Sequence, residues 1–240
     1  MTRLIENDVR DLTAQLADFE ARLREVAGIG LADAGRRAWG EAGDRPRLHG
    51  VRMAAVPVSQ GEGFIPGFCE CVAAILGFLG ADAFVTGLPD VRGLQEAAES
   101  AAELVFVADD SRFIALNLRS GACADDDPCT ARAYVAALES AAGGLAGRAV
   151  AVLGHGPVGR HATARLLERR ADVSVVEPDE ARAAQAVAQG ARVLPLAEAL
   201  AAADLLFDAT PAADVVGVDW VRPGSVAAVP GMPSAFTAAA

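Results

Sequence analysis

The chain has 240 residues, a formal net charge of −11, a sequence pI near 4.7 and a mean hydropathy of +0.29, with enough apolar content for one large domain or two smaller ones. The acidic balance opposes phosphate backbones and anionic membranes, so nucleic acid is not an expected partner. All 21 basic residues are arginine, which excludes Schiff-base lysines, lysine general bases and a P-loop lysine.

The N-terminus MTRLIENDVRD has no apolar signal core. No stretch approaches the ~20 apolar residues of a membrane span. A cytoplasmic protein is expected, with no membrane partner. From Ile5 through Val9, Leu12, Leu16, Phe19, Leu23 and Val26, apolar residues recur every three or four positions, which predicts one striped helix.

After the loop EAGDRPRLHG come VRMAAVPV, a helical GFCECVAAILGFLG, then ADAFVTG, VRGLQEAAESAA and ELVFVADD. This βαβαβ order predicts a small parallel sheet with helical crossovers. Cys69 and Cys71 lie two apart in the helical pattern and do not share a face, and no histidine falls at ligand spacing. With Cys123 and Cys129 they read as reduced thiols, and no metal is expected.

A polar stretch, SGACADDDPCT, leads into helix ARAYVAALESAAGGLAG and a second unit. Its strands are expected near 149–153, 173–177, 192–194, 204–208 and 225–228, with helices between. The chain is therefore read as α/β, residues 1–130 forming a helical and parallel α/β domain and residues 131–240 a Rossmann dinucleotide-binding domain. A full fold of this type has six strands, so the last strand is expected to be missing, as in a C-terminal truncation.

The second unit opens with the strongest motif. The run AVAVL feeds Gly154, Gly156, Pro157, Val158 and Gly159 in the pattern GxGxxG, helix HATARLLERR follows, and Glu177 closes the next apolar run. The first glycine makes a tight turn, the second lets backbone approach a pyrophosphate, and the third packs helix on strand. An acidic residue about 20 positions on accepts the ribose diol and repels a 2′-phosphate, which selects NAD over NADP.

In open α/β sheets ligands gather outside the carboxyl ends of strands. Asp109 and Asp110 close ELVFVA and are candidates for chemistry, or else caps of the turn before SRFIALNL. Thr210 and Pro211 after LLFDA, and Pro230 in the loop PGMP after SVAAV, are placed to touch the cofactor. Ser59, in SQGEG after MAAVPV, opens a glycine turn able to hold a substrate's polar end. Ordinary turn chemistry also accounts for these loops. His155 lies inside the glycine motif and is expected to point away from phosphate; no histidine has a triad partner in sequence.

The segments VPVSQGEGFIPGF, FVTGLPDVRG, ADDSRFIALNLRSGACADDDPCT, LGHGPVG, FDATPAADV and VPGMP together resemble PylD, the NAD-dependent dehydrogenase family that completes pyrrolysine biosynthesis. The likeness runs in order through most of the chain. It implies a substrate domain joined to a Rossmann domain, and a homodimer. It also implies oxidation of the terminal primary amine of L-lysine-Nε-3-methyl-D-ornithine, ring closure and release of ammonia. On that resemblance Asp109 matches the family's essential aspartate, Leu4 a position on a helix that closes over substrate, and Asn117 a polar substrate contact. Glu177 stands in the family's aspartate position at the ribose. Two other readings stay open at this point: another NAD-dependent amino-acid dehydrogenase, and a non-catalytic NAD-binding module or fragment.

Overall fold

The computed structural model describes Val9, residues 11–40 and residues 48–237, so Leu4 and Ile5 lie outside the described residues. These group into two units, one of Val9, residues 11–22 and 48–126, the other of residues 23–40 and 127–237.

The striped helix is present as α1 (Leu12–Ala27), but its stripe is only partly covered. Val9 and Leu16 are buried, whereas Phe19 and Val26 are exposed. A second helix, α2 (Leu31–Trp39), follows a glycine turn and was not anticipated, because LADAGRRAW is short and rich in small residues. Ala27, Ile29 and Ala34 bury against Leu23 and Ala141, which ties this segment to the second unit.

The first unit is built on a five-stranded sheet. Its strands are β1 (Arg52–Val56), β2 (Asp82–Val85), β3 (Leu104–Ala108), β4 (Phe113–Asn117) and β5 (Cys123–Asp125), in the order β2-β1-β3-β4-β5. Helices α3 (Phe68–Phe78) and α4 (Asp90–Glu99) make the crossovers between the first three, which are parallel as expected. The last two strands are antiparallel and correct the expectation of a wholly parallel sheet. SRFIALNLRSGACAD folds back as a meander because Asp109 turns the chain at one end and Asn117 at the other. Ala54, Val56, Ala97, Ala102 and Val105 form the core, and Gly93 of α4 sits so close that a Cβ there would stand 2.6 Å from Val56 and 2.9 Å from Thr86 Oγ1.

The second unit begins with α5 (Asp126–Ala142), which starts earlier than the sequence suggested and takes in DDPCT. Its sheet comprises β6 (Ala149–Leu153), β7 (Asp172–Val176), β8 (Arg192–Val193), β9 (Leu205–Asp208) and β10 (Val226–Ala228), all parallel, in the order β10-β9-β6-β7-β8. Helices α6 (Pro157–Glu168), α7 (Glu180–Gln189) and α8 (Leu196–Ala202) connect them. Side chains alternate between the two faces of a strand. Val150 and Val152 therefore join one core with Ala131, Val135, Ala162 and Leu166, while Ala151 and Leu153 join another with Ala199, Leu200, Val216 and Ala235. Strand order reverses on either side of β6, which makes its carboxyl end the natural ligand crevice.

Among the described residues no helix is long and apolar enough to cross a membrane, and no group of three His, Cys, Asp or Glu side chains is placed to hold a metal.

Candidate functional site

The glycine motif sits at that crevice, between β6 and α6. Gly154 has φ +86°, a left-handed conformation that glycine adopts without strain, and a Cβ there would stand 3.0 Å from the Ala209 carbonyl. At Gly159 a Cβ would run into the Gly154 carbonyl oxygen, so α6 lies directly on the turn. Gly156 differs: a Cβ there would meet nothing within 4 Å. It caps α6, with Pro157 in the first turn, where no N–H is wasted. The open space over Gly156 and the free end of α6 suit a pyrophosphate, which backbone N–H groups and the helix dipole would hold.

Glu177 reaches this turn from the end of β7. Its Oε2 accepts the His155 N–H at 2.7 Å and its Oε1 the Asp179 N–H at 3.0 Å. The His155 ring is buried beneath the turn, with Nδ1 3.4 Å from Thr163 Oγ1, and burial pushes its pKa below 6.5.

A further loop meets Gly154, and another packs on that loop. The turn after β9 approaches through Ala209 and Thr210, with Pro211 exposed beyond. The loop after β10 packs on that turn through Gly231, where a Cβ would stand 2.6 Å from the Thr210 carbonyl oxygen and whose N–H bonds the Asp208 carbonyl at 3.0 Å. Thr210 thus stands beside Gly154, and the residue after Pro230, Gly231, packs on Thr210. The residue that joins them, Asp208, was missed in the sequence. It is 0 % exposed, its Oδ1 accepts Thr210 N–H at 3.1 Å and its Oδ2 accepts Ala235 N–H at 2.7 Å. A carboxylate ending an otherwise apolar strand, LLFD, was the available signal.

The first unit gathers polar groups at the carboxyl edge of β1, β2 and β3. Asp109 and Arg112 close a tight turn, the Asp109 N–H bonding the Arg112 carbonyl at 2.9 Å. Asp109 Oδ1 accepts three hydrogen bonds at 2.8 Å, from Ser111 N–H, Ser111 Oγ and Arg112 N–H, so it does serve as the turn cap. Its Oδ2 has no partner among the described residues, and the side chain is exposed. The backbone and side-chain bonds from Ser111, then that from Arg112, hold the carboxyl below its usual 3.8. Arg112 also pairs with Asp125.

Asp110 turns the other way and accepts the Glu62 N–H at 2.7 Å. Ser59 gives its N–H and its hydroxyl to Asp90, at 2.8 and 2.6 Å, which lowers the Asp90 pKa. The SQGEG loop is therefore fixed to two neighbouring loops, and Ser59 faces Asp90. Asn117 is not brought to this edge. It pairs with Leu104 at the opposite end of β3, and its Oδ1 caps a turn by accepting Arg119 and Ser120 N–H. On α3, burial pushes the Cys69 thiol up to about 11.

Comparison with known proteins agrees with both halves. Residues 8–124 match the family model described as pyrrolysine biosynthesis protein PylD, N-terminal domain, and residues 132–229 match that of the S-adenosyl-L-homocysteine hydrolase NAD binding domain. The chain is 30% identical over 237 residues to pyrrolysine synthase of Methanosarcina acetivorans, covering 99% of this chain and 89% of that one. It is 29% identical over 238 residues to pyrrolysine synthase of Methanosarcina barkeri, covering 99% and 88%. Among solved structures, shikimate dehydrogenase of Aquifex aeolicus superposes with a TM-score of 0.50 at 13% identity, over 74% of this chain and 77% of that one, which shows a shared fold.

Proposed function

The chain belongs to the pyrrolysine synthase family and is an NAD-dependent oxidoreductase of pyrrolysine biosynthesis, and from that premise we propose that it oxidises the terminal primary amine of L-lysine-Nε-3-methyl-D-ornithine and closes the pyrroline ring. In this reaction the CH₂–NH₂ group loses a hydride from carbon and a proton from nitrogen, leaving an imine. The substrate's own α-amine adds to that carbon, and ammonia leaves as the ring C=N bond forms.

Bound NAD supplies the hydride acceptor. Gly154, Gly156 and Gly159 would hold its pyrophosphate and Glu177 its ribose, with Thr210, Pro211 and Pro230 offered from the loops after β9 and β10.

Asp109 carries the reading. Three donors immobilise one carboxylate oxygen, and the other is left at the sheet edge for a cation. A carbon bearing –NH₃⁺ does not release hydride, so the amine must become neutral first. With its pKa held low, Asp109 is a better partner for the ammonium than an acceptor of its proton. Its role is to hold and orient the nitrogen, while the proton passes to water at this exposed edge. Ser59 contributes by fixing the loop beside it. A cytosolic homodimer acting on free small molecules completes the reading.

The test is incubation of the chain with NAD and lysine-Nε-methylornithine, following NADH absorbance and product mass. NADH formation with loss of ammonia from the product mass is expected. Reduction of NAD without ring formation would point to a different amine dehydrogenase, and NAD binding without reduction to a non-catalytic module.

A further inference from the structure

Asp208 is an unusual residue to find at the end of β9. The strand is buried along its whole length, and a wholly buried carboxylate is costly unless its oxygens are engaged. Here each oxygen holds a different loop, Oδ1 the Thr210 N–H and Oδ2 the Ala235 N–H, while the backbone carbonyl of the same residue takes Gly231 N–H. One residue thereby ties three points on two loops, the first against Gly154 and the second packed on the first.

The fit around it leaves little slack. A Cβ on Gly231 would stand 2.6 Å from the Thr210 carbonyl oxygen and 3.3 Å from Asp208 Cγ. The segment beyond is anchored to residues 214–216 through Asp214 N–H to Ser234 O, Val216 N–H to Ala235 O and Thr237 N–H to Val216 O. Those bonds secure its far end and do not reach Thr210.

We propose that Asp208 is a positioning residue that locks the loops 209–211 and 230–235 together beside the glycine motif, and so fixes the part of the dinucleotide site that the phosphate-binding turn does not. This rests on the NAD reading of that crevice. Burial pushes the Asp208 carboxyl above 3.8 although both backbone donors pull it down, which fits a group kept for its two acceptors rather than for exposure to solvent. Asparagine cannot replace it, because its amide NH₂ would face one of the two N–H donors.

The experiment compares Asp208→Asn with the unchanged protein in three measurements: hydrogen exchange across 230–237, affinity for NAD, and affinity for ADP-ribose, which lacks the nicotinamide. Faster exchange at 230–235 is expected, with NAD affinity down about tenfold or more, the order of one lost charge-assisted hydrogen bond, and ADP-ribose affinity within about twofold. With substrate, KM for NAD should rise with the loss of affinity and kcat should fall as well. Gly231→Ala, which crowds the same junction and keeps the carboxylate, should reproduce the pattern if Asp208→Asn folds poorly. Unchanged exchange, or equal loss of NAD and ADP-ribose affinity in both variants, would overturn the proposal. If the unchanged protein reduces no NAD with this substrate, the functional reading fails, while exchange and the two affinities still decide the role of Asp208.

Discussion

Glu177 and His155 are joined by a 2.7 Å hydrogen bond from the His155 backbone N–H to Glu177 Oε2, which links the end of β7 to the glycine turn. The carboxylate proposed for the ribose is thus also a strut for the turn proposed for the phosphates. Glu177→Ala should weaken both. Charged hydrogen bonds contribute about 1.5–3 kcal/mol, so KM for NAD should rise about 10- to 100-fold, with a smaller rise for NADP. Steady-state kinetics with each cofactor measures the two effects together.

Gly156 and Gly159 should separate binding from folding. At Gly156 the φ is −71° and a Cβ meets nothing, so Gly156→Ala should melt close to the unchanged protein and yet lose NAD affinity, because the methyl occupies the space kept for the ligand. At Gly159 the methyl strikes the Gly154 carbonyl, and Gly159→Ala should lose about 1–3 kcal/mol of stability. Thermal melts alongside calorimetric NAD titration distinguish the two positions.

Asp109→Asn keeps the shape of the turn cap and removes the charge offered to the ammonium. Turnover should fall about 100-fold or more, an effect typical of a lost electrostatic contact at a reacting group, while NAD affinity stays unchanged. Equal loss of NAD affinity would move Asp109 out of the reacting site and into the general architecture.

Ser111→Ala should raise the Asp109 pKa toward 3.8, since the Ser111 hydroxyl is one of the three donors holding it down. A depressed carboxyl contributes stability that is present above its unfolded value and lost as pH falls through its folded value. In the variant that loss should begin at higher pH. Carbon-13 NMR of the Asp109 carboxyl across the acid range reads the change directly, and an unmoved titration would remove Ser111 from the account.

The dinucleotide motif was legible because its chemistry is local: three glycines, a strand before them, a helix after them and Glu177 on the next strand. The parallel strands were legible because burial on both faces leaves continuous apolar runs such as AVAVL and LLFD. Strands β4 and β5 were not, since Phe113–Asn117 and Cys123–Asp125 are short and half-exposed, and only pairing of β4 with β3 and of β5 with β4 makes them strands. Asp208 and the Ser59–Asp90 pair were hidden for a related reason. The partners that give them their place, Ala235 for Asp208 and Asp90 for Ser59, lie 27 and 31 residues away, so LLFD marks Asp208 as odd without saying what it holds. Asn117, singled out on the resemblance alone, lies at the other end of β3 because an antiparallel return carries it away from the edge where Asp109 lies.

Strand β6 is walled on both sides, Val150 and Val152 against one core and Ala151 and Leu153 against the other. No position along it can take up a polar group without disturbing one of the two interiors. Its tip is the first point where the chain is released from that constraint, and there Gly154 begins. Adaptation of the cofactor crevice and preservation of the fold therefore act on different residues of one continuous segment, so the crevice can be remodelled at strand tips while the interior stays fixed.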